Sequence, residues 1–129
     1  IGSFGLESIS RGAKKVTFIE KDRTAIKILN ENLKKLSIAN KSKIFNDNIE
    51  NVLLNNLNEK FNIFFFDPPF NDKYYVKNLE LIKKNKLYKA KHVIIIHRER
   101  KTEDFLENYI KVIDIKNYGR SKIIFGFFK

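Results

Sequence analysis

No cysteine, methionine or tryptophan occurs among the 129 residues, and only two prolines and five glycines interrupt them. Without cysteine there is no disulfide framework, no thiolate zinc site and no cysteine nucleophile. No apolar run approaches the roughly 20 residues that a membrane span needs, and no signal peptide is visible at the start. A cytoplasmic protein with no membrane partner is therefore expected. The chain opens at Ile1 and holds no methionine, so a fragment of a longer chain is expected too. No repeats, linkers or low-complexity tracts appear, which points to one domain over residues 1–129, most simply a monomer.

What is abundant is positive charge. The 26 Lys and Arg exceed the 15 Asp and Glu by 11. A basic domain attracts polyanions, because each phosphate it neutralises releases counterions. Nucleic acid is the partner this suggests, although a Lys- and Asn-rich composition can also reflect a biased genome. No clustering of His and acidic residues suggests a metal site.

The two prolines are adjacent, in Asp67-Pro68-Pro69-Phe70, directly after the apolar run Phe61–Phe66. Proline fixes φ and removes a backbone donor, and it drives the residue before it out of the helical region. A buried strand should end here in a rigid turn that holds a carboxylate, free carbonyls and an aromatic ring. That set suits a flat base with an exocyclic amine. Asp67 and a proline-region carbonyl can accept the amine hydrogens while Phe70 stacks on the ring. A strand that merely stops at prolines would look the same.

Elsewhere apolar strands alternate with helical periodicity, which implies βαβ units and a mainly parallel sheet. Ser3 to Arg11 reads as a short helix stopped by Gly12, and Val16–Ile19 as a buried strand ending at Glu20. Asp22 can cap a helix to about Leu36 with Ile26, Leu29, Leu33 and Leu36 on one face. Lys43–Phe45 is a short strand. Asn48 can cap a further helix with Ile49, Val52, Leu53 and Leu57 inward. A helix over about residues 75–85 follows the proline turn, then a strand at Val93–Ile96. A short helix near Thr102–Asn108 precedes two strands, about Lys111–Ile115 and Lys122–Phe128. Their short connection requires antiparallel pairing. A parallel sheet closed by such a hairpin is the order found in methyltransferases that use S-adenosylmethionine.

Ligands in open α/β sheets bind beyond the carboxyl ends of the strands, and several suitable groups fall there. Gly2-Ser3-Phe4-Gly5 reads as the tail of a glycine-rich loop opening a helix. Glu20 stands where a carboxylate can take two ribose hydroxyls. Asp47-Asn48 could meet an adenine amine, or Asn48 could simply cap its helix. His97 lies at the carboxyl end of a strand, where it could approach the site, but a structural histidine is the simpler reading. The cluster His97–Lys101, with Lys73, Arg120 and Lys122, could hold phosphates or be ordinary solvated charge. Tyr74 or Tyr75 could stack on a base.

The runs Gly2-Ser3-Phe4-Gly5-Leu6-Glu7-Ser8-Ile9-Ser10-Arg11-Gly12-Ala13, Phe18-Ile19-Glu20-Lys21-Asp22, Asp67-Pro68-Pro69-Phe70 and Tyr118-Gly119-Arg120-Ser121-Lys122 resemble the bacterial 16S rRNA guanine-N2 methyltransferases of the RsmD type. The resemblance implies a Rossmann-like class I methyltransferase fold with its first strand missing, and S-adenosyl-L-methionine as methyl donor. It implies cofactor contacts at Gly2, Ser3, Gly5, Glu20, Lys21, Asn48 and Ile49. Catalytic and target-base contacts would be Asp67, Pro68, Pro69 and Phe70, with Tyr74, Arg98, Arg120 and Lys122 toward the RNA. The partner would be 16S rRNA or the assembling small subunit. Members often carry Asp where this chain has Asn48. Without a central strand, the strands ending at Glu20 and Asp67 would lack the partner between them, and the fragment alone would be a poor enzyme. A DNA adenine-N6 methyltransferase shares fold, cofactor and motif; a non-catalytic RNA-binding or assembly module and a dinucleotide oxidoreductase are further alternatives.

Overall fold

The computed structural model describes residues 2–129, apart from the side chain of Asn56. The chain divides into two compact units, Ile1–Asn55 and Asn56–Lys129.

In the first unit, α1 (Ser3–Ser10) leads to β1 (Val16–Glu20), α2 (Arg23–Lys35) and β2 (Ser42–Asn46), then the single turn α3 (Ile49–Asn51) and a wider turn, Val52–Asn56. Strands β1 and β2 pair in parallel, Val16 with Ser42 through Glu20 with Asn46. The Asp22 carboxylate accepts from the Thr24 and Ala25 amides, which satisfies donors that a helix start leaves unpaired. The core forms around Ile9, Leu29 and Leu33, with Leu6, Val16, Phe18, Ile38 and Ile44 packed against them. Leu29 and Leu33 follow the predicted helical period. Leu36 does not; it is exposed, because α2 has ended at Lys35 and Ser37 turns the chain with φ 55°. Val52 and Leu53 are buried as expected, but Ile49 is exposed.

The second unit is β3 (Phe61–Phe66), α4 (Tyr75–Lys84), β4 (Tyr88–Glu99), β5 (Lys111–Tyr118) and β6 (Ser121–Phe127). Its sheet order is β3-β4-β6-β5. β3 and β4 run parallel, while β6 is antiparallel to both β4 and β5. The final hairpin is as expected, turned at Gly119, whose φ of 56° suits glycine. On α4, Tyr75, Leu79 and Ile82 are buried, the i, i+4, i+7 stripe of an amphipathic helix.

As expected for a chain without the central strand, β1-β2 and β3-β4-β6-β5 are separate sheets among the described residues. Two expectations need correction. β3 is not fully buried. It is an edge strand with Ile63 and Phe65 exposed. And residues 102–108 form no helix: 102–106 have no regular structure and a turn covers 107–109. There the Thr102 hydroxyl donates to the Asp104 carboxylate, the kind of local side-chain bond that competes with helical backbone pairing.

The two histidines of β4 part company. His92 is structural: its Nδ1 donates to the Lys89 carbonyl and its Nε2 accepts from the Phe128 amide, 2.8 and 2.9 Å. Its ring packs with Tyr88 and Phe128. His97 lies near the carboxyl end of β4, beside the proline turn.

Candidate active site

The site in the second unit is built by parallel pairing. The β3–β4 register sets Phe66 against Ile96, so the next residues, Asp67 and His97, emerge together at the carboxyl ends of neighbouring strands. His97 Nδ1 lies 2.9 Å from Asp67 Oδ1. An ionised carboxylate only accepts, so this nitrogen carries the hydrogen. Both groups reach solvent, the Asp67 side chain at 60% and His97 at 37% of full exposure.

The turn itself is fastened from beneath. Asp72 donates its amide to the Pro69 carbonyl, 2.9 Å. Arg98, 1% exposed, donates from one terminal nitrogen to the Pro69 carbonyl and from the other to the Phe70 carbonyl, each at 3.0 Å. Its Nε donates to Asp104 Oδ1 at 2.9 Å, and its guanidinium lies over the Tyr75 ring, 4.7 Å from the centroid. Asp104 is in turn saturated: it accepts from the Tyr75 hydroxyl at 2.8 Å and the Thr102 hydroxyl at 2.7 Å, with Lys122 Nζ at 3.4 Å. Burial alone would raise the Asp104 carboxyl. The hydrogen bonds from Thr102 and Tyr75 and the Arg98 cation outweigh it and hold the group below its ordinary 3.8. Burial, then the bond to the Asp104 anion, pushes the Tyr75 phenol well above its ordinary 10.0.

Above this base opens a cleft of about 420 Å³. Its floor is the Asp67–Phe70 turn with His97 and Arg98, and its rim carries Glu99, Arg120 and Ser121. Phe70 is 62% exposed and Tyr74 77%, so both rings have a free face. No group of His and acidic residues among those described could hold a metal ion.

Two residues expected on the RNA side turn their charges inward. Arg98 is spent on Pro69, Phe70 and Asp104, with no donor presented to a phosphate. Lys122 donates to the Thr102 carbonyl as well as approaching Asp104, so its ammonium is drawn inward. Arg120 stays exposed at the cleft. Tyr75 is buried and cannot stack on a base. The sequence reading missed Asp104 altogether and took His97 for structural. The strand register joining Asp67 to His97 was the one signal available, and the Arg98–Asp104 pairing left none.

In the first unit, the residues expected to contact a cofactor stand at strand and helix ends. Glu20 Oε1 accepts from the Lys21 and Asp22 amides, 3.1 and 3.0 Å, which leaves Oε2 outside those bonds; the Lys21 side chain is exposed. Asn48 Oδ1 accepts from the Asn51 amide at 2.8 Å, so it is the helix cap, followed by exposed Ile49. Gly2 takes φ 67° just before Ser3 opens α1. Gly5 has a packing reason for its identity that the sequence reading assigned to ligand approach. It is buried, and a Cβ there would lie 2.4 Å from the Phe18 ring.

The comparisons agree with this architecture. The chain is 33% identical over 101 residues to the ribosomal RNA small subunit methyltransferase D of Haemophilus influenzae, an alignment covering 77% of this chain and 52% of that protein. It is 36% identical over 98 residues to the protein of that name in Buchnera aphidicola subsp. Baizongia pistaciae, with 76% and 49% covered. The chain thus spans about half the length of these relatives. A crystal structure of a candidate methylase from Haemophilus influenzae superposes with a TM-score of 0.83 at 27% identity, covering 99% of this chain and 81% of that one. The fold is accordingly the Rossmann-like class I methyltransferase fold. The resemblance drawn from the motifs is borne out, and with residues 1–127 matching its model, the chain belongs to the family described as conserved hypothetical protein 95.

Proposed function

We propose that the protein carrying this chain transfers a methyl group from S-adenosylmethionine to the exocyclic N2 amine of a guanine in small-subunit rRNA. The observation that carries this reading is the Asp67–Phe70 turn: an accessible carboxylate beside an exposed aromatic ring, on a backbone pinned through two carbonyls by a buried arginine. The names of the relatives supply the RNA. We read residues 1–129 as part of one methyltransferase domain, working as a monomer in the cytoplasm where ribosomes assemble.

The donor side fits the groups present. Glu20 keeps Oε2 for a ribose hydroxyl, and α1 opens directly after Gly2, which lies in the left-handed region. Ser3, Lys21, Asn48 and Ile49 border these positions. S-adenosylmethionine supplies a methyl carbon on a positively charged sulfur, so the breaking C–S bond sends its electron pair to sulfur as the amine lone pair forms the new bond. The protein supplies position, which in well-oriented intramolecular reactions is worth about 7–11 kcal/mol. Asp67 and the Pro68 carbonyl accept the amine hydrogens and aim its lone pair. Phe70 stacks on the base, and the carboxylate stabilises positive charge developing on nitrogen. The surplus proton then leaves through Asp67 to solvent. An amine paired in a duplex is out of reach, so the base is flipped or looped out. In this reading exposed Tyr74 meets a neighbouring base and Arg120, at the cleft, a phosphate.

The test offers the full-length protein labelled S-adenosylmethionine with small-subunit rRNA particles and, separately, duplex DNA, then identifies the methylated nucleoside. N2-methylguanosine from rRNA is the expected product. N6-methyladenine in DNA would overturn the substrate, and no product with either would overturn the enzyme reading.

A further inference from the structure

We propose that His97 is a positioning residue for Asp67, selecting which carboxylate oxygen meets the target amine. The inference rests on the methyl-transfer reading above. His97 Nδ1 holds Oδ1 at 2.9 Å, so Oδ2 is the carboxylate oxygen left outside that bond, on a residue that lines the cleft together with Pro68. The bond is charge-assisted, hence directional and strong. It also runs between two rigid supports. On one side, Asp67 follows the last residue of β3 and precedes two prolines. On the other, His97 belongs to β4, where His97 pairs with Ile123 of β6 and its neighbour Ile96 pairs with Phe66 of β3.

The next residue on β4 completes the arrangement. Successive strand residues point to opposite faces, and Arg98 grips the Pro69 and Phe70 carbonyls. His97 therefore fixes the side chain of the turn while Arg98 fixes its backbone. A carboxylate with no such partner would rotate about its side-chain torsions, and the amine would be presented over a range of angles. Misplacement of about 1 Å can cost about a hundredfold in rate.

The experiment uses the full-length protein with labelled S-adenosylmethionine and small-subunit rRNA. Three forms are compared: wild type, His97→Phe, which removes the donor, and His97→Asn, whose side-chain amide can donate from nearly the same place. With His97→Phe, kcat should fall about ten- to a hundredfold, with KM for both substrates within about twofold. His97→Asn should recover most of the loss. Nitrogen-15 NMR of the histidine rings gives a readout independent of turnover: His97 should carry its proton on Nδ1, and Asp67→Ala should shift it toward Nε2. An unchanged kcat in His97→Phe, no recovery in His97→Asn, or a tautomer indifferent to Asp67→Ala would each overturn the role. An inactive wild type would instead overturn the methyl-transfer reading, and the NMR comparison would still decide the His97 contact.

Discussion

Asp104→Ala is the most consequential single change the second unit offers. The Arg98 and Asp104 side chains are 0% and 3% exposed, so solvent screening does not soften the loss. Replacing Asp104 strips the buried guanidinium of its counterion and removes the acceptor of the Tyr75 hydroxyl, while the Thr102 hydroxyl keeps the Glu99 carbonyl. Breaking a buried pair from one side costs about 3–5 kcal/mol, mostly for the charge left behind. With a urea slope of about 1–3 kcal/mol/M, the unfolding midpoint should drop by about 2 M. Far-UV circular dichroism is the suitable probe, since the chain has no tryptophan. A second variant separates burial from pairing. Arg98→Met combined with Asp104→Leu removes both charges, and apolar replacement of a whole buried pair is often near neutral. The double variant should therefore be more stable than Asp104→Ala alone. A loss below about 1 kcal/mol in Asp104→Ala would refute the reasoning, since that is the range of an exposed pair. So would a double variant that costs the sum of the two single changes, because the charges would then act independently.

Other expectations are as definite. Asp67→Ala should abolish methyl transfer with little change in S-adenosylmethionine affinity by calorimetry; near-normal turnover would remove Asp67 from the mechanism. Gly5→Ala should destabilise the first unit by about 1–3 kcal/mol in thermal melts, because its Cβ would fall 2.4 Å from the Phe18 ring, whereas Gly12→Ala meets no neighbour and is strained instead by its φ of 104°. Asp104 sets a pH response. Its carboxyl is held below 3.8 in the fold, so its contribution is fully present above that value and is lost as pH falls through the lower folded value. Acid titration should show Asp104→Asn less sensitive than wild type in that window. β3 exposes Ile63 and Phe65 on an edge strand, a hazard for strand-on-strand association, and Phe65→Lys should reduce light scattering in concentrated samples of this chain.

Much of the architecture is carried by local pattern. The period of Leu29 and Leu33 sets α2, Asp22 and Asn48 cap helices where their side chains can reach a free amide, and the short link between β5 and β6 forces antiparallel pairing. Adjacent prolines after an apolar strand mark the turn, because their effect on φ and on the preceding residue is covalent. These signals need no partner far along the chain. The rest depends on contacts between distant residues. Asp67 and His97 are 30 positions apart and meet only because β3 and β4 run parallel in one register. Arg98 carries the same charge as Arg120, yet strand alternation turns the first into the sheet's buried face, and hydrogen bonds to Pro69, Phe70 and Asp104 keep it there. Gly5 is glycine because Phe18 lies against it, a reason no loop motif could reveal. The amino-acid sequence by itself determined the elements, the turn and the kind of chemistry it suits. Which charges are buried as supports and which stand free at the cleft was decided by tertiary structure, since burial and pairing are properties of neighbours rather than of residues.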